Sequence, residues 1–324
     1  MKRLVSLVLP VYNEAGSIGA LYKEIIATFS SVKKTYDLEL IFVNDGSTDS
    51  SLSLLTNLAN KDQNVLVINL SRNFGHQLAI TAGLDFARGD AVITMDSDLQ
   101  DPPKVCLNLI KKWEAGFEVV YAQRRKRSGE SRFKRASAKL FYKFINRIAE
   151  TNIPQNVGDF RLLDRHALDE LKKFKEHQRF LRGLVSYIGF NQTSVLFDRD
   201  ARRNGKTSYS LLKMWRLAGD GVMSFSTLPI RIISQLGYAI AGFSVVAILY
   251  VIWVKLFEPA RAVEGWAFVT VSIFFVGGVQ LIMLGLIGSY VARTYTESQN
   301  RPLYIVSSIK GKKAGSNPTN KKNI

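Results

Sequence analysis

Ala91-Val92-Ile93-Thr94-Met95-Asp96-Ser97-Asp98-Leu99-Gln100-Asp101-Pro102-Pro103 runs from a β-rich apolar segment into an acidic turn and on to two prolines. A short apolar run bounded by turn residues is the pattern of a buried strand. Proline suits the first turn of a helix, where its missing N–H costs nothing. The same order recurs outward from this point. Strands are expected at Leu4–Leu9, Leu38–Val43, Val65–Leu70, Ala91–Met95 and Glu118–Tyr121. Helical patterns fall between them at Ser17–Lys33, Asp49–Asn60, His76–Ala87 and Pro103–Ala115. This alternation predicts an α/β domain built on a mostly parallel sheet.

Polar clusters follow the strands directly. They are Pro10-Val11-Tyr12-Asn13-Glu14, Asn44-Asp45-Gly46-Ser47, Asp96 to Asp101, and Gln123-Arg124-Arg125. All lie at the carboxyl edge of the sheet, where open α/β sheets bind ligands. No Gly-x-Gly-x-x-Gly follows the first strand and no Gly-Lys-Ser/Thr loop occurs, which removes the main support for a dinucleotide oxidoreductase or a P-loop NTPase. No Gly-x-Ser-x-Gly elbow suggests a serine hydrolase. The single Cys106 cannot form an internal disulfide and, in a helical segment, reads as packing. His76, His166 and His177 have no metal-ligand spacing.

Asp96 and Asp98 fall on one side of an extended segment with Gln100 in phase, an oxygen-donor set for a hard divalent cation that bridges phosphates. A solvated turn is the alternative for this motif in isolation. Asp45 suits donors on a base or ribose, while Gly46 and Ser47 equally suit a plain turn. Tyr12 offers an aromatic face and Glu14 an acceptor; alternatively this is a helix start capped by Asn13 or Ser17. Asp159, between apolar stretches, suits a base or sugar ligand, or a structural carboxylate paired with Arg161 or Arg165. The basic residues from Arg124 to Lys143, interleaved with Phe133, Phe141 and Phe144, suggest a basic loop and an interfacial amphipathic helix. Arg124 and Arg135 suit bidentate phosphate binding.

A composition of 47% hydrophobic and 22% charged residues excludes a disordered chain. The mean hydropathy of +0.02 conceals two uncharged apolar stretches, Ile232 to Val254 and Gly265 to Ala292. Each exceeds the roughly 20 residues that span a bilayer as a helix. The short link from Lys255 to Glu264 makes them a two-helix transmembrane hairpin. Arg216, Arg231, Arg293, Arg301 and the lysines of the tail place both termini in the cytoplasm by the positive-inside rule. Anionic lipid then accounts for part of the net charge of +17. Met1 to Pro10 has no signal-peptide pattern. The expected layout is a cytosolic domain over 1–210, an interfacial helix over 211–231, spans over 232–254 and 265–292, and a basic tail over 293–324. Glycines in the spans allow close helix packing and a homo-oligomer.

Six ordered motifs carry a resemblance: Leu9 to Glu14, Asn44 to Asp49, Arg72-Asn73-Phe74-Gly75, Asp96 to Pro102, Gly158 to Arg161, and Gly205 to Tyr209. Together they resemble family-2 glycosyltransferases of the polyprenyl-phosphate class, nearest to the bactoprenol (undecaprenyl-phosphate) glucosyltransferases of O-antigen glucosylation, with dolichol-phosphate mannose synthases more distant. The resemblance implies a GT-A fold and inverting transfer of a sugar, glucose from UDP-glucose by closeness, to polyprenyl phosphate at the inner face of the plasma membrane. It implies that Pro10, Tyr12, Glu14, Asp45 and Asp96 bind the nucleotide sugar, and that Asp96, Asp98 and Gln100 hold Mg²⁺ or Mn²⁺. Asp98 and Asp159 would be the catalytic carboxylates. Arg124 and Arg135 would grip the acceptor phosphate. Lys139, where the mannose synthases carry a hydroxyl, joins them, and Arg202 and Lys206 would contact the donor diphosphate or acceptor phosphate. A flippase and a downstream glycosyltransferase are the implied partners. A nucleic-acid-binding protein would match the charge but leave the acidic clusters without a role, and a processive synthase would need more spans.

Overall fold

The computed structural model describes residues 2–125, 157–177, 179–198 and 265–311, with isolated helical positions between 233 and 257. The chain forms two compact units: one comprises residues 1–146, 151–210 and 302–324, and the other residues 147–150 and 211–301. In the first unit the described strands are β1 (Arg3–Val11), β2 (Tyr36–Asn44), β3 (Val65–Leu70), β4 (Ala91–Thr94), β5 (Val119–Arg124), β6 (Val157–Asp164), β7 (Gln192–Phe197) and β8 (Val306–Lys310). Its helices are α1 (Ala15–Ser30), α2 (Ser51–Lys61), α3 (His76–Phe86), α4 (Val105–Glu114), α5 (Arg165–Lys172) and α6 (Leu181–Tyr187). The strands form one sheet in the order β7-β5-β6-β4-β1-β2-β3-β8.

At the centre, β1 pairs in parallel with β2 and β4, and β2 with β3. These strands are covered on both faces, so they need near-continuous apolar sequence rather than alternation. α1 buries Ile18, Leu21, Ile25 and Phe29, a single stripe at helical spacing. Cys106 of α4 is wholly buried and its thiol is pushed up by burial, in keeping with packing. On α3, a Cβ at Gly83 would lie 2.3 Å from Val8 Cγ1, so glycine allows this helix to sit close on β1.

Three strands were not anticipated. β6 is antiparallel to both β4 and β5, which makes the sheet mixed, though mostly parallel. β7 lies on one edge and is parallel to β5. β8 comes from residues expected to form only a basic tail, but it pairs antiparallel with β3. Tyr304 Oη donates to Asp85 Oδ2 at 2.8 Å and Ser71 N to Ile305 O at 2.9 Å, fixing the approach to β8. Both edge strands are short and half-exposed, so their sequences lack the apolar density that marks a central strand.

In the second unit, α7 (Trp266–Ser298) contains Phe275–Ser298, whose most apolar 18-residue stretch has a mean hydropathy of 1.8 and is not buried. It is the one helix among the described residues long and apolar enough to cross a bilayer. Ser289, Thr294 and Thr296 return their hydroxyls to carbonyls four residues back, which satisfies them without water. Within the expected first span over 232–254 every described position is helical, 12 of 23, whereas the expected helices over 211–231 and 124–143 fall wholly or largely outside the described residues.

Candidate active site

The loops at the carboxyl edge are tied to one another before any ligand is considered. Asn13, at φ +57°, donates from its N–H to Ser47 Oγ and accepts at Oδ1 from Thr48 N. Neither Asn13 nor Ser17 caps α1, as the sequence had suggested; Ala15 N instead donates to Asp49 Oδ2, on the loop after β2. Asp49 Oδ1 also accepts from Ser51 N, so one carboxylate anchors the starts of both α1 and α2. Gly46 closes the β2 loop at φ +67°, and a Cβ there would stand 2.5 Å from Arg72 C and Asn73 N. Gly46→Ala is therefore expected to cost about 3 kcal/mol through backbone strain and overpacking. A lowered denaturation midpoint of the purified variant would register it.

Asp45 is buried, and its carboxylate accepts from Phe74 N at 2.7 Å and Gly75 N at 3.0 Å. It joins the loop after β2 to the Arg72-Asn73-Phe74-Gly75 loop. Pro10 is buried within β1, and its carbonyl accepts from Ser97 Oγ at 2.7 Å. Tyr12 is 49% exposed. Glu14 is half-buried and accepts at Oε2 from Ser17 Oγ.

Ser97 is buried between the partly exposed Asp96 and Asp98, in the bend that follows β4. Leu99 adopts φ +60° and packs against the core. Asp98 Oδ1 accepts from Gln100 N across this turn at 3.1 Å. Gln100 thus reaches the edge by a turn rather than in strand phase. Among the described residues no three His, Cys, Asp or Glu side chains gather to hold a metal ion. Two neighbouring carboxylates fit a hard divalent cation whose remaining ligands come with a diphosphate.

The antiparallel run of β6 carries Asp159 to the same edge, two residues beyond the pairing of Arg161 with Thr94. Asp159 is 8% exposed. Its Oδ1 accepts from Arg161 Nη2 and Arg182 Nε, and its Oδ2 from Arg182 Nη2 and Gln77 Nε2, all at 3.1 Å. His76 Nε2 lies 3.5 Å from Asp159 Oδ2 and 3.4 Å from Asp96 Oδ1. Burial pushes the Asp159 carboxyl up, but Arg182, His76 and Arg161 outweigh it and hold the group well below the usual carboxylate range. Burial likewise pulls His76 down, but Asp159 and Asp96 raise it above its ordinary value. Of the readings open for Asp159, the geometry supports the paired carboxylate, with Arg161 and Arg182 as partners. Arg165 instead donates to the carbonyls of Gly89 and Ala87. A carboxylate so occupied and so weakly basic is a poor general base.

Gln123 and Arg124, expected in a loop, are the last residues of β5. The Arg124 guanidinium lies over Gly158, where a Cβ would come 3.2 Å from Nη2. Arg135, Lys139, Arg202 and Lys206 lie outside the described residues. His76, Gln77 and Arg182 are the participants that sequence reading missed. The Phe74-Gly75-His76-Gln77 run carried the available signal, since polar residues open a helix directly after a strand loop at the ligand edge.

Residues 6–172 match the family model "Glycosyl transferase family 2". The chain is 44% identical over 306 residues to the uncharacterized glycosyltransferase YkcC of Bacillus subtilis, covering 94% of each. It is 42% identical to a prophage bactoprenol glucosyl transferase homolog of Escherichia coli, covering 94% of this chain and 99% of that one. It is 41% identical to the bactoprenol glucosyl transferase of Shigella phage SfV, covering 95% and 99%. By the family model over residues 6–172 and by these relatives, the chain belongs to glycosyltransferase family 2 and is a glycosyltransferase.

Proposed function

We propose that this enzyme transfers glucose from UDP-glucose to polyprenyl phosphate, with inversion at the anomeric carbon, at the cytoplasmic face of the plasma membrane. The observation that carries this reading is the presence, at the carboxyl ends of the neighbouring strands β4 and β1, of the partly exposed carboxylates Asp96 and Asp98 and of the exposed ring of Tyr12. The bactoprenol glucosyl transferases at 41–42% identity support the choice of acceptor and sugar. The apolar length of α7, together with an expected first span over 232–254, supports a two-span anchor with both termini cytoplasmic.

Tyr12 offers a stacking face to the base, and Asp45 holds the surrounding loops in place. Asp96 and Asp98, with Gln100 beside them, would hold Mg²⁺ or Mn²⁺, which when bound neutralises the diphosphate as it leaves. The acceptor phosphate oxygen attacks the anomeric carbon, the bond from that carbon to the diphosphate oxygen breaks, and UDP departs. With a second pKa of about 6, the phosphate monoester is already anionic near neutrality. No strong base is required, which agrees with an Asp159 locked between arginines. Arg124 would grip the acceptor phosphate, and Arg135, Lys139, Arg202 and Lys206 would add charge around it. Asp159 is a positioning group that holds Arg182 and His76.

The reaction is tested by incubating the purified full chain with undecaprenyl phosphate, Mn²⁺ and a panel of labelled UDP- and GDP-sugars. Lipid-linked product from UDP-glucose, abolished by EDTA, is expected. Product from another donor alone would replace glucose, and no product from any donor in folded protein would overturn the proposed reaction.

A further inference from the structure

We propose that His76 is a positioning residue that bridges the two acidic centres of the site, fixing the Asp96 carboxylate for the cation through Nε2 while tying it to the Asp159–arginine cluster. The inference rests on the reading of Asp96 and Asp98 as the cation-binding pair. His76 Nε2 stands 3.4 Å from Asp96 Oδ1 and 3.5 Å from Asp159 Oδ2, so one ring nitrogen lies within ion-pair reach of a carboxylate on the loop after β4 and of another on β6. The backbone is arranged for this. Gly75 adopts φ +99° immediately before α3, its N–H is held by Asp45 Oδ2, and His76 becomes the first residue of the helix.

The next residue reinforces the bridge. Gln77 Nε2 donates to Asp159 Oδ2, and Gln77 Oε1 accepts from Leu181 N at 3.2 Å, at the start of α6. Asp159 is itself immobilised by Arg161 and Arg182. A carboxylate tethered to so rigid an anchor loses rotational freedom before the cation arrives. Groups that orient a ligating carboxylate typically contribute 10- to 100-fold in metal affinity. The His76 side chain is 46% exposed, so it adds little to the core and its removal leaves packing largely intact.

The test measures Mn²⁺-dependent binding of UDP to the full chain in detergent, which needs neither acceptor nor sugar transfer. His76→Ala is expected to raise the half-saturating Mn²⁺ concentration 10- to 100-fold with the denaturation midpoint nearly unchanged. His76→Gln, which retains one donor, should recover most of the affinity. An unchanged Mn²⁺ dependence in His76→Ala, with or without a lowered midpoint, would overturn the bridge, as would a His76→Gln variant as impaired as His76→Ala. Asp98→Asn separates the two levels of the argument. If it loses Mn²⁺ dependence while His76→Ala does not, the bridge alone fails; if it binds as the parent does, the cation reading fails and takes the bridge with it.

Discussion

Asp98→Asn is expected to reduce sugar transfer by about 10³-fold while leaving the fold intact, the scale on which preorganised charge stabilisation acts. The fold should survive because asparagine can keep the contact in which Asp98 Oδ1 accepts from Gln100 N across the Leu99 turn, and because Asp98 is partly exposed rather than part of the core. What asparagine cannot keep is the negative charge beside Asp96 that would hold a divalent cation against a diphosphate. The measurement is initial-rate transfer at saturating UDP-glucose, run beside a thermal melt. A loss of activity with an unchanged melt supports the assignment, and EDTA treatment of the parent should reproduce it. Near-normal turnover in Asp98→Asn would remove the cation from this position.

Asp159→Asn is expected to act first on stability, costing about 3–5 kcal/mol. Asparagine is nearly isosteric, so the loss comes from charge. Arg161, only 3% exposed, would be left as a buried cation without its counter-ion, and Arg182 would lose its fork on both oxygens. The carbonyls of Gly158 and Leu181 and the ring of Tyr121, which Arg161 also contacts, carry no formal charge. Removing both partners together, as in Asp159→Asn with Arg161→Gln, should cost less than the sum of the single changes. Denaturation of the four proteins in detergent measures the coupling directly, and strict additivity would contradict the ion pair.

The lowered pKa of Asp159 fixes the sign of a pH effect. Its contribution is fully present above the unfolded carboxyl value of about 3.9 and is lost as pH falls from there through the depressed folded value. The parent should therefore lose stability in that acid window, and Asp159→Asn should lack that share of the loss. If Asp159 were instead a catalytic base with no structural charge role, its replacement would lower turnover without moving either the midpoint or the acid limb.

The first five strands and first four helices were legible because each is written in local sequence. A doubly covered strand needs a continuous apolar run, as in Leu7-Val8-Leu9 or Ile41-Phe42-Val43. A helix lying on the sheet needs a stripe at helical spacing, as in Ile18, Leu21 and Ile25. The carboxyl-edge position of Asp45, Asp96 and Asp98 followed from connectivity, since strands of one direction put their exits on one side. The apolar stretch that became α7 was set by length and composition alone.

Tertiary structure decided what depends on neighbours distant in the chain. β6 was obscured because its interior holds Asp159 and Arg161, and two buried charges are tolerated in a strand only when they meet each other and further partners. Those partners come from afar: Gln77 is 82 positions away and Arg182 is 23. No local pattern encodes such an approach. β8 likewise owes its strand to the open edge of β3, whose unpaired N–H and C=O groups recruit a half-polar segment that would not be a strand alone. Sequence therefore determined the elements and the edge at which they meet, through burial and periodicity. Only the packed sheet decided that Asp159 is an arginine-bound anchor and that His76 joins it to Asp96, because both depend on charges brought out of water together.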